Sequence, residues 1–180
     1  MKNIFKKTGL MVLLFLIPFF AFADLSNSQL SILNADMQSN PDVTDMIATE
    51  DDIGLSNYYS TETSNKGWVT NFTLRSLFEV IDWQETIART EAERNTLQFM
   101  FSLGQVDAGQ ANVRQGLADI YSGGAARTIA QRAALIGAAQ RLVNRVERLL
   151  NNGLSGGVYT LDYEGVLSTR DAANARRYQP

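Results

Sequence analysis

The chain contains no cysteine and no histidine. The first absence excludes disulfide staples, thiol redox chemistry and thiolate metal sites. The second removes Ser-His triads, Cys-His pairs and zinc held by imidazole. Lysine is scarce as well: beyond residue 23 only Lys66 remains, so a Ser-Lys dyad or a Schiff base would depend on that one residue. Neither G-x-G-x-x-G nor G-x-x-x-x-G-K-[ST] occurs, which leaves phosphate cradling by a glycine loop without support.

Carboxylates remain as acid-base candidates. Glu50, Asp51 and Asp52 stand where a helix N-terminus favours acids, and Glu91 and Glu93 share a predicted helix with Arg89 and Arg94. No second acid is spaced to pair with either group. The Asp and Asn positions between 34 and 52 lack the ligand spacing and central glycine of an EF-hand loop. The expectation is a protein without catalytic residues, metal or cofactor.

Residues 1–23 carry the pattern of a secretory leader. Lys2, Lys6 and Lys7 form a positive n-region, Leu10 to Phe20 an apolar h-region, and Ala21-Phe22-Ala23 an A-x-A site that predicts cleavage between Ala23 and Asp24. The competing reading is an uncleaved membrane anchor. The apolar stretch Leu10–Ala23 spans 14 residues, short of the roughly 20 that a spanning helix needs. The expected location is periplasmic or extracellular, with membrane contact through the leader alone.

Loss of three lysines with no acids would take the formal charge from −3 to −6. Residues 24–67 hold eight acids against Lys66, whereas residues 127–180 hold eight arginines against four acids. An acidic front segment lying against a basic back half is one reading; a basic face for an acidic partner and two solvated surfaces are the others. Arg141, Arg145 and Arg148 fall at i, i+4 and i+7 and predict a basic stripe on a helix. Negative charge, no lysine cluster and no interleaved aromatics argue against nucleic acid as its ligand.

Helical periodicity dominates after the leader. Short helices are expected from Ser28 to Met37 and after the capping-box-like Thr49-Glu50-Asp51-Asp52, with a break at Pro41 and a polar loop from Tyr59 to Gly67. Thr73 predicts a helix start, and Asp82 the cap of a long helix to Leu103 stopped by Gly104. Asp107 is expected to cap a further helix to Tyr121. The longest helix is predicted from Thr128 to Asn151, where Leu135, Leu142 and Leu149 recur every seven residues beside Ile136, Ala139, Val143, Val146 and Leu150. Ala126, Ala130, Ala134 and Ala138 add a small-residue strip suited to close helix packing within the domain, or to self-association. A β-ribbon near 157–167 and a helix capped by Ser168 close the chain. The fold class expected is all-α: one domain over 24–180, a bundle of five to seven helices, with an acidic short-helix segment (24–67), main helices (73–151), and the ribbon and terminal helix (157–177).

Three strings, "VDAGQANVRQGLADIYSGG" from Val106, "RAALIGAAQRLVNRVERLL" from Arg132 and "GVLSTRDAANAR" from Gly165, resemble small helical proteins encoded beside head and tail genes of tailed bacteriophages. The opening "LSILNADMQSNPDVTDMIATEDDIGLSNYYST" is similar to the start of those proteins, and the match covers most of residues 25–177. The resemblance implies a non-enzymatic, virion-associated or morphogenetic role with no catalytic residues to carry over. The leader departs from that pattern.

A structural or interaction protein with protein partners, self-assembly among them, is therefore the leading expectation. The alternative is a periplasmic or secreted binding or inhibitor module that uses the acidic N-terminal segment. Asp51, Asp52, Arg141, Arg145 and Arg148 are the candidate interaction residues.

Overall fold

Side-chain caps place most of the helix starts. The computed structural model describes residues 24–179 except 152 and 156, with the backbone alone at 153–155. The expected leader and Ala23 lie outside the described residues. Helix α1 (Asn27–Ser39) starts on a capping box in which Ser26, rather than Ser28, accepts the Gln29 N–H while the Gln29 side chain accepts the Ser26 N–H. After Pro41 comes a 3-10 turn (Pro41–Val43) and α2 (Thr44–Ala48); Asp51 then caps α3 (Asp52–Ser60) by accepting from Gly54 N–H at 2.8 Å.

Strand β1 (Glu62–Trp68) follows, then β2 (Phe72–Thr73) and α4 (Leu74–Val80), for which Thr73 is the cap. Asp82 caps α5 (Trp83–Ile87), and a second capping box, Thr90 with Glu93, starts α6 (Glu91–Met100). Next are β3 (Gln105–Val106), α7 (Ala111–Ile120), α8 (Ala126–Ala138), β4 (Gln140–Asn144) and α9 (Arg145–Leu150). A hairpin of β5 (Gly153–Ser155) and β6 (Val158–Thr160) precedes α10 (Thr169–Arg176), which Ser168 caps.

The expected all-α bundle of five to seven helices is corrected by this arrangement. The described residues form a mixed α/β fold of ten α-helices and two sheets, one four-stranded in the order β4-β1-β6-β5 and one two-stranded, β2 with β3. The polar stretch assigned to a loop is the inner strand β1, antiparallel to β4 and parallel to β6, with Lys66 opposite both Leu142 and Val158. Its side chains alternate in exposure up to a buried end at Gly67 and Trp68. The ladders on both sides, and the Thr63 hydroxyl donating to Val143 O at 2.7 Å, supply what its polar composition does not advertise.

Two expected long helices are divided. The 82–103 segment breaks between α5 and α6 at the Thr90 cap. The 128–151 segment becomes α8, β4 and α9, because Asn144 accepts the Glu147 N–H at 2.8 Å and the Glu147 carboxylate accepts the Asn144 N–H at 3.0 Å. That N-x-x-E box restarts a helix inside the continuous apolar periodicity. The ribbon is shifted too: its strands are 153–155 and 158–160, and Gly157 precedes β6 at φ +82°. Residues 162–165 are pinned to α9, whose terminal Asn151 accepts from the Asp162 and Tyr163 N–H groups at 2.6 and 2.8 Å.

Two apolar clusters make up the core, the first including Trp68 and Val158 of the main sheet. One gathers Phe72, Leu77, Leu97, Phe101, Leu117 and Leu135 from β2 through α8. The other joins Leu33, Met37, Leu55, Tyr59, Val146 and Leu167, with Ala172 and Ala175 of α10. In it the Tyr59 hydroxyl donates to Asp36 at 2.6 Å, and burial, then that bond, pushes its pKa above the ordinary phenol value. The β1-to-β6 connection between parallel strands carries all of α4 to α9, so the first cluster is built almost wholly inside one crossover.

Candidate functional site

Helices α4, α5 and α6 leave a cavity of about 320 Å³ open to solvent. Leu77, Leu97 and Phe101 form its buried floor, and Phe101 meets Phe72 beneath at 5.8 Å in an edge-to-face pair. Phe78 and Trp83, with ring centroids 5.4 Å apart, stand at the rim and are half exposed. The periodicity of α4 and its C-cap explains the wall: Leu74, Leu77, Phe78 and Ile81 fall at spacings of three and four, a stripe whose Leu77 is buried and whose Phe78 is left half exposed.

A polar base, exposed at Arg127 and buried at Glu85, Thr128 and Gln131, holds the helix turn that carries Trp83. Arg127 holds the Asp82 carboxylate through two nitrogens, one at 2.7 Å, and this bond holds Asp82 below the usual carboxylate range. Glu85, itself buried, accepts from Thr128 at 2.6 Å and pairs with Arg89 at 2.7 Å. Gln131 of α8 accepts the Asp82 N–H at 2.5 Å. These contacts tie the first turn of α5 to α8, so the aromatic rim is held by the scaffold. Arg94 is the ionisable side chain lining the groove; it donates to the carbonyls of Ile87, at 3.1 Å, and Arg89, which ties α6 to the end of α5.

The residues singled out from the sequence lie elsewhere. Asp51 serves as the α3 cap, and Asp52 bonds Arg176 of α10 at 2.8 Å, with Glu50 at 3.3 Å from the same guanidinium. Asp24 pairs with Arg170. The acidic front segment thus lies against α10. Arg141 belongs to β4 while Arg145 and Arg148 belong to α9, so the three do not share a helix. Arg141 grips Glu147 at 2.6 and 2.9 Å and reaches Glu164 at 3.0 Å, beside a second cavity of about 250 Å³; the Glu147 bond foremost raises its pKa. Arg145 stacks over Tyr58 with its guanidinium carbon 4.1 Å from the ring centre, and Arg148 is exposed. The alanine strip of α8 faces solvent at Ala126, Ala130 and Ala134, so it does not serve the close packing within the domain expected of it.

The groove has no local sequence signal: Phe78 and Trp83 are apolar side chains of the kind that fill a core, and only the arrangement of α4, α5 and α6 sets them at a rim above the buried Phe101. Among the described residues no helix is long and apolar enough to cross a membrane, and no group of three or more acids is placed to hold a metal ion. Comparison with family models, curated proteins and solved structures gives no match to this chain.

Proposed function

We propose that the protein is a non-enzymatic interaction protein that offers the preformed groove between α4, α5 and α6 to a protein partner. The carrying observation is the half exposure of Phe78 and Trp83 above a floor that is already packed. Apolar surface concentrated in a concavity costs free energy in water and is relieved when another apolar surface covers it. Export to the periplasmic or extracellular side rests on the leader-like residues 1–23, and a virion-associated or morphogenetic form of the role rests on the sequence resemblance.

The test is photo-crosslinking in the producing cell, with the reactive side chain at Gln98, an exposed residue that lines the groove, and, as control, at Arg148. The expected result is a discrete protein adduct from Gln98 that Phe78→Glu abolishes, with none from Arg148. No adduct from the rim, or substrate turnover by the purified protein that one carboxylate substitution abolishes, overturns the reading.

A further inference from the structure

The groove has an exposed apolar counterpart beside it. Phe99, in the last turn of α6, and Leu103, three residues beyond its end, are 79% and 90% exposed. Phe99 adjoins Gln98 in the chain and its carbonyl accepts from Ser102 N–H at 3.1 Å; both neighbours line the groove, so the apolar pair stands as a knob at its edge. Resting on the reading above, we propose that the groove's occupant is a second copy of this chain, whose Phe99 and Leu103 enter it while the first copy's pair enters the groove of the second. One patch that carries both halves of a contact satisfies the condition for a two-fold, self-complementary interface.

The area supports a dimer. Phe78, Trp83, Phe99 and Leu103 are 50–90% exposed. At about 150–250 Å² for each full aromatic side chain and somewhat less for Leu, they present on the order of 500 Å². A standard interface buries about 800 Å² per partner, so these side chains supply more than half of it and their neighbours the remainder. Large aromatics at the centre, with polar residues such as Gln98 and Ser102 around them, also match the anatomy of an interface core and rim.

Sedimentation velocity on the purified protein, from low micromolar to millimolar concentration, tests the proposal. The expected result is a reversible monomer–dimer equilibrium that Phe99→Glu with Leu103→Glu weakens by about thirtyfold or more. Phe78→Glu with Trp83→Glu gives a like loss, and Arg148→Glu gives none. Mixing the knob variant with the groove variant restores part of the association, because the mixed dimer keeps one intact knob-in-groove contact. A dimer indifferent to both double variants overturns the proposal. A monomer whose Trp83 emission shifts to the blue with an added apolar amphipathic peptide, and does not in Phe78→Glu, overturns the second copy as occupant and leaves the groove reading standing. A monomer with no such shift overturns both.

Discussion

Glu147 shows how one side chain can hold three segments together. Its carboxylate, only 2% exposed, accepts from both terminal nitrogens of Arg141, from Asn144 N–H and from Gly165 N–H at 2.8 Å, joining β4, the start of α9 and the loop before α10. Removing the charge from a buried pair costs about 3–5 kcal/mol, and the one-third exposure of Arg141 places this pair at the lower end. Glu147→Gln is expected to lose about 3 kcal/mol in denaturant unfolding, with most of the loss absent in an Arg141→Met background. Gly67 is constrained by space. A Cβ there would lie 2.5 Å from Val143 Cγ1 and 3.0 Å from Leu161 Cδ1, both side chains being buried in the sheet region. Gly67→Ala should destabilise by about 1–3 kcal/mol, measured by the same unfolding experiment.

Among the elements, helix starts were legible in part: Asp107 does not cap α7, which begins at Ala111 without a side-chain cap, and α8 begins at Ala126, ahead of Thr128. Thr73, Asp82 and Ser168 cap the helices expected of them, because a short polar side chain before an apolar stripe has a local job that tertiary structure does not override. Interruptions were harder to read. Thr90-Glu91-Ala92-Glu93 and Asn144-Arg145-Val146-Glu147 are both capping boxes inside continuous apolar periodicity, and the periodicity outweighed them. Strand β1 has almost no apolar signal, since its pairing energy lies in backbone ladders that form only once β4 and β6 are assembled. The groove was illegible for a related reason: sequence tells that Phe78 and Trp83 are apolar and not that the neighbouring helix fails to cover them. If the Thr90 box is what divides α5 from α6, Thr90→Ala should cost about 1 kcal/mol. Amide exchange should then quicken first at residues 90–94, ahead of the rest of α6.

At the scale of the whole molecule, the second apolar cluster depends on the two ends of the described chain meeting. Helix α10 lies on α1 and α3, with the Asn34 side chain donating to Ala175 O at 2.8 Å and Arg176 clamped by Asp52 and Glu50. The hydrogen bond from Arg176, ahead of the opposing effect of burial, holds Asp52 below its ordinary value of 3.8. A carboxylate lowered on folding stabilises the fold fully above its unfolded value and loses that contribution as pH falls through the folded one. The clamp is therefore intact at neutral pH, begins to lose its contribution below 3.8 and fails once the pH has fallen through the lower folded value. Asp52→Asn should melt lower than the wild type at pH 7, by the equivalent of about 1.5–3 kcal/mol for a charged hydrogen bond. The two melting curves should converge as the pH falls from 3.8 through the lower folded value, where the wild-type carboxyl becomes neutral as well. Melting temperatures followed by circular dichroism across that range check the sign: a gap that stays constant into acid would mean that Asp52 acts through packing and that its charge contributes nothing to seating α10.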